Sequence, residues 1–133
     1  MDADATVIRY RIERARSALA EARLMYDAKR WNACVSRLYY ACFYAVLALL
    51  ARRGLSSSKH SGVRALFNQH FVKTGLIPAE IATIYNDLFD RRRQADYEDF
   101  FEATSDDAKQ WLLDAEEFVG EIQRFLNSNA RKE

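Results

Sequence analysis

The chain has 133 residues, a formal net charge of +1, half its residues hydrophobic, and only one proline and four glycines. That length suits one domain, 1–133, with a real buried core. Near-neutrality excludes the broad basic footprint of a general nucleic-acid binder, and the scarcity of turn residues excludes an all-β sandwich or barrel.

The opening, MDADATVIRY, has no apolar segment of a secretory leader and no mitochondrial character, so the expected location is cytoplasmic. A first helix is expected from about Asp4 to Ala28, because Ile8, Ile12, Ala15, Leu19, Ala22 and Met25 recur at steps of three and four. Asp4 or Thr6 is its expected cap. A second helix should run from near Arg30 to Gly54, with Arg52 and Arg53 suiting its C-terminus. Within it, Leu38 to Ala51 is an unbroken apolar or tyrosyl run of 14 residues. A bilayer span needs roughly 20, so the run reads as a buried helix. Cys34 and Cys42 share this helix about 12 Å apart, too far to bridge, and read as small core or interface residues.

A serine-rich loop, Leu55 to Lys59, leads to a shorter third helix, about Lys59 to Lys73, capped by Ser57 or Ser58. Its stripe is Val63, Leu66, Phe67 and Phe71, and Gly75 stops it. Pro78 opens a fourth helix that reaches about Tyr97. A fifth begins after Thr104 or Ser105, its N-terminal end favoured by Asp106 and Asp107. It carries a stripe from Trp111 through Phe118 and Ile122 to Leu126. Residues 1–3 and 128–133 are expected to fray. The sum is all-α: an antiparallel up-and-down bundle of four long helices and one short one, ordered over about 5–127.

A helix apolar round its whole circumference needs cover on every side. Part of that cover is expected from the chain's own bundle and part from a second copy, with Tyr39, Tyr40, Phe43 and Tyr44 at a homodimer interface. The other reading of the same pattern is a helix central to a monomer.

The stretch LFDRRRQADYEDF, Leu88 to Phe100, breaks its own pattern. Following Ile81, Ile84, Tyr85 and Leu88 along one face, the next step lands on Arg92, then Asp96. An arginine aimed at an interior needs a carboxylate or a ligand to offset its desolvation. It is read either as an Arg92–Asp96 pair that fixes the helix, or as an anion site. In the anion site Arg92 with Arg91 or Arg93 holds a phosphate and Tyr97 lies close by.

Three segments together resemble the HEPN family (higher eukaryotes and prokaryotes nucleotide-binding domain): RLYYACFYAVLALL, SSSKHSGVRALFNQHFVKTG and LFDRRRQADY. The resemblance covers roughly residues 5–127. It implies a helical bundle that dimerises, and a partner, a small MNT nucleotidyltransferase, in a toxin–antitoxin arrangement. It also implies a link to metal-independent ribonucleases whose Arg-x4–6-His motif assembles at the dimer interface. In some pairs the partner adds AMP to a tyrosine near that motif, and Tyr97 is the tyrosine beside it here. This chain has Asp96 near the place of the motif histidine, and a carboxylate lacks the near-neutral proton chemistry of imidazole. Arg53 with His60, and Arg64 with His70, match the loose spacing but are discounted as chance. His60 is a candidate ligand residue, or a capping or packing one.

No phosphate loop, nucleophile elbow or metal-ligand spacing occurs, and no cofactor is expected. Three functions stay open. The first is a binding module for a nucleotide or RNA phosphate at Arg92, Asp96 and Tyr97, working with a nucleotidyltransferase. The second is a ribonuclease toxin in which Arg92 stabilises charge and Asp96 or His60 moves protons. The third is a purely structural dimer.

Overall fold

The structure is a computed structural model that describes residues 2–132, with the side chains of residues 4–128. Its helices are α1 (Asp2–Asp27), α2 (Trp31–Arg52), α3 (His60–Phe67), α4 (Ala79–Tyr97) and α5 (Ser105–Lys132), with a π-helical turn, Asn68–Val72, continuing α3. No strand occurs among the described residues. The architecture is the all-α bundle that the helical periodicity predicts.

At the centre lies α2, packed against α1, α3, α4 and α5. Twelve of its 22 residues are buried, among them Cys34, Leu38, Tyr39, Cys42, Val46, Leu49 and Leu50. By length and composition this helix could cross a membrane, yet most of its apolar surface is already covered by its own bundle. Both cysteines are buried free thiols. Burial alone pushes the Cys34 thiol up to about 11, and burial likewise raises Cys42, so neither is a ready nucleophile. The core continues through Phe67, Phe71, Tyr85, Leu88, Phe118 and Ile122.

The helix ends show how local chemistry sets the frame. After α1 the backbone of Arg30 donates to Met25 O at 2.8 Å and that of Lys29 to Tyr26 O at 2.9 Å, with Lys29 at φ 62°. This is a Schellman closure with a lysine where glycine is usual. The same closure ends α2, where Leu55 N–H reaches Leu50 O and Gly54, at φ 66°, reaches Ala51 O. Thr104 caps α5, its hydroxyl oxygen accepting from Asp107 N–H at 3.1 Å.

Two local expectations are corrected, and one helix carries a feature the periodicity does not show. Asp4 and Thr6 lie inside α1, which starts at Asp2, so neither is its cap. The residue preceding α3 is Lys59 in an extended conformation, not Ser57 or Ser58; Ser57 Oγ instead accepts from Lys59 N–H at 3.3 Å. The third helix is not uniform, because its last turn widens to π geometry. At the C-terminus α5 runs through Lys132, and the calls on residues 1 and 133 lie outside the described residues.

One side-chain clamp returns the α4 tail to α2. Asn32 donates through Nδ2 to Phe101 O at 3.0 Å and accepts at Oδ1 from Ala103 N–H at 2.9 Å. Leu49, fully buried, measures the core: Leu49→Ala should cost about 2–5 kcal/mol in urea unfolding. Lys29→Gly should act in the opposite sense and stabilise by roughly 0.5–1 kcal/mol, because glycine removes the left-handed backbone penalty.

Candidate functional site

On α4, Tyr85, Leu88 and Phe89 are buried, and Arg92 continues their line into the bundle. Its side chain is only 11 % exposed. The expected partner is present: Arg92 Nη1 lies 3.4 Å from Asp96 Oδ2, one turn on. That contact is long for a charge-assisted hydrogen bond. The larger neighbours are aromatic. The guanidinium carbon sits 4.8 Å from the centre of the Tyr39 ring and 5.6 Å from that of Tyr40. Arg92 Nε is buried with no hydrogen-bond partner.

The other guanidinium nitrogen, Nη2, lies 3.4 Å from His60 Nδ1. His60 is the first residue of α3, 32 positions earlier in the chain. Three contacts place it. Phe43 stacks on the imidazole with ring centres 4.2 Å apart and planes 8° from parallel. Tyr40 meets it edge-on at 6.0 Å. The Tyr39 hydroxyl lies 2.8 Å from Nδ1. The loop before α3 folds back so closely that a Cβ on Gly62 would stand 2.1 Å from Ser57 Oγ, so glycine is required there. One turn along, Arg64 Nη1 is 3.5 Å from Asp90 Oδ1 and its guanidinium covers the Phe89 ring at 3.9 Å, tying α3 to α4.

These contacts favour one protonation state. Arg92 carries only N–H donors, so its contact needs an unprotonated Nδ1. The Tyr39 hydroxyl then donates to the same atom, and the imidazole proton resides on Nε2. His60 titrates below its ordinary value near 6.5, first because burial disfavours the cation and second because Arg92 repels it. Tyr39 is pushed up by burial, an effect that Arg92 opposes. What results is a neutral imidazole offering Nε2–H beside a guanidinium whose charge is met only in part.

Not every expected residue joins this cluster. Arg91, Arg93 and Tyr97 line a separate surface depression of about 470 Å³ with Asp90, Gln94 and Glu98, and Arg92 is not in its lining. Arg91 donates to Gln94 there, and Tyr97 is 74 % exposed. Tyr39 has no exposed surface and Phe43 almost none, so these two belong to the chain's own core; Tyr40 and Tyr44 stay half-buried at the surface. His70 lies in the π turn, and Arg53 covers the ring of Phe71. Sequence spacing missed the His60–Arg92 pair, since the contact depends on how α3 packs against α4. The one local hint was the tyrosine-rich face of α2 that meets both.

Fold and cluster together describe a small all-helical domain with an arginine–histidine pair at a helix junction. The HEPN domain matches residues 8–125, and the chain belongs to the HEPN family. It is 42 % identical over 125 residues to a "UPF0332 protein" of Thermotoga maritima, covering 94 % of this chain and 95 % of that one. It is also similar to two proteins of Methanocaldococcus jannaschii. "Putative toxin MJ0142" is 32 % identical, over 88 % of this chain and 80 % of that protein. "Putative toxin MJ0605" is 33 % identical, over 86 % of this chain and 85 % of that protein.

The fold prefers neutral His60, so the stability this residue contributes is complete above the ordinary imidazole range. It is lost as the pH falls through that range to the depressed folded value. In Arg92→Gln the imidazole should titrate higher than in the parent while staying below its ordinary value, because burial, the larger cause, remains. A histidine ring NMR titration of both proteins reads this directly.

Proposed function

We propose that the chain is the toxin-type member of a two-component pair and that it holds an RNA phosphate at Arg92 and His60. The observation that carries this reading is the under-compensated Arg92: nearly buried, 3.4 Å from its carboxylate, and 3.4 Å from the imidazole of His60. Phosphate oxygens accept well from a guanidinium that lacks a close carboxylate. The names of the two archaeal relatives support the toxin-type assignment. The family resemblance supports a small nucleotidyltransferase as partner and a homodimer as the working form. A cytoplasmic location fits the two free thiols. Asp96 serves this reading as the tether of Arg92. Tyr97, exposed and one residue beyond Asp96, is the tyrosine open to modification by such a partner.

A second reading has one observation in its favour. His60 stands within 3.4 Å of Arg92, so the structure holds together the two residue types that a metal-independent ribonuclease uses. Cleavage would need His60 to take the 2′-hydroxyl proton while Arg92 meets charge on the phosphorus, and the leaving oxygen to be protonated by another acid. With its proton on Nε2 and Nδ1 already engaged, His60 is set to donate to a phosphate rather than to accept a proton from substrate.

A single-stranded RNA should therefore bind without being cut when EDTA is present. Arg92→Ala should weaken binding roughly tenfold to a hundredfold, the range for a lost charge-assisted hydrogen bond. Gel analysis of end-labelled RNA, beside anisotropy on the same samples, separates the readings. Cleavage that disappears in both Arg92→Ala and His60→Ala would replace the binding reading with the ribonuclease one.

A further inference from the structure

Beside His60, between α1 and α2, lies a cleft of about 430 Å³ lined by Arg14, Ser17, Glu21, Arg37, Tyr40 and Tyr44. We infer that this cleft is a nucleotide subsite, which takes the base and phosphate next to the one held by Arg92 and His60 in a single-stranded RNA. The inference rests on the RNA-phosphate reading and extends it to a second set of residues.

Continuity is the first argument. Tyr40 belongs to both places. Around its ring lie Arg92 at 5.6 Å, His60 at 6.0 Å and Arg37, with its guanidinium carbon 5.2 Å from the ring centre. Two cationic groups within 6 Å of one ring lie within reach of neighbouring phosphates on one strand. Arg37 also lines the depression that contains Asp96, so the surface path runs past the tether of Arg92 as well.

Chemistry is the second. Arg14 donates to Tyr10 Oη at 3.1 Å and to Tyr44 Oη at 2.8 Å, and lies 4.6 Å over the Tyr44 ring. No carboxylate pairs with Arg14 among the described residues, whereas Arg37 has Glu21 at 3.5 Å. Three arginines, from α1, α2 and α4, thus each cover a tyrosine of α2: Arg14 on Tyr44, Arg37 on Tyr40, Arg92 on Tyr39. Tyr39 is fully buried, so the accessible part of this row is Arg14 with Tyr44 and Arg37 with Tyr40, cationic and phenolic groups on which a single-stranded base stacks and its phosphate pairs.

The test is binding of a fluorescent ten-nucleotide 2′-O-methyl RNA, which cannot be cut through its 2′-oxygen, by the full chain. The variants are Arg14→Ala/Arg37→Ala, Tyr44→Leu and Arg92→Ala, with molar mass measured for each by light scattering. The double variant should bind about tenfold or more weakly, with a salt dependence shallower by about one to two phosphate contacts, and with unchanged mass. Tyr44→Leu should weaken binding of the intact RNA severalfold and that of an abasic strand of the same length distinctly less, because only a base can stack while the Arg14 seat is lost to both. If the parent binds and Arg92→Ala does not, yet the double variant matches the parent within twofold, the subsite is overturned and the phosphate site stands. If the parent itself does not bind RNA, both readings fall together. A change of mass in the double variant would overturn the subsite by making the cleft a subunit contact.

Discussion

Nearly the whole circumference of α2 is kept from water, and the packing of the other helices follows from that requirement. A helix with one apolar stripe needs one neighbour, whereas buried Ala48, Leu38, Val46 and Phe43 spread round more than half of α2, and Tyr40, Tyr44 and Leu47 are partly covered on the remaining side. That cover comes from α1, α3, α4 and α5. The cluster at Arg92 is a consequence of it. Covering Tyr39 and Phe43 brings the start of α3 and the tail of α4 onto the same turn of α2, where His60 meets Arg92.

The electrostatics of that turn are unbalanced. A nearly buried guanidinium carries a desolvation cost of several kcal/mol unless it is well paired. Its carboxylate is long and partly exposed, and an i,i+4 pair of that kind contributes only about 0.3–0.5 kcal/mol. Two aromatic faces contribute more, on the order of 0.5–2 kcal/mol each when shielded from water. The rings hold the arginine in place without neutralising it. A purely structural role would be served better by a closer carboxylate or by an aliphatic side chain.

How much of this is legible in the sequence depends on range. Helix periodicity is a local property, and the observed helices begin and end close to where the apolar steps, Gly54, Gly75, Pro78 and Thr104 place them. The break at Arg92 was legible for the same reason, as was its pairing with Asp96, one turn away. The partner that matters most was not, because His60 lies 32 residues back and reaches Arg92 only through tertiary packing. A search for a histidine a few residues from an arginine along the chain turns up Arg53–His60 and Arg64–His70, which the fold leaves apart. Arg91 and Arg93 flank Arg92 in sequence, yet helical rotation of about 100° per residue carries them to another surface.

The same geometry that assembles an arginine and a histidine also limits what they do together. A histidine that shuttles protons needs one free basic nitrogen facing substrate and a titration point near the working pH. Here burial, and after it Arg92, depresses that point, and the Tyr39 hydroxyl and Arg92 both face Nδ1, which leaves Nε2 to carry the proton. Turning this pair toward catalysis requires the imidazole proton to move to Nδ1, which breaks the contact with Arg92 and turns the Tyr39 hydroxyl from donor to acceptor. An arriving phosphate that drew the guanidinium away from Nδ1 would permit that exchange. On the proposed reading, holding RNA and cutting it would be two states of one cluster, and the distance between Arg92 and His60 in the bound form would decide which is reached.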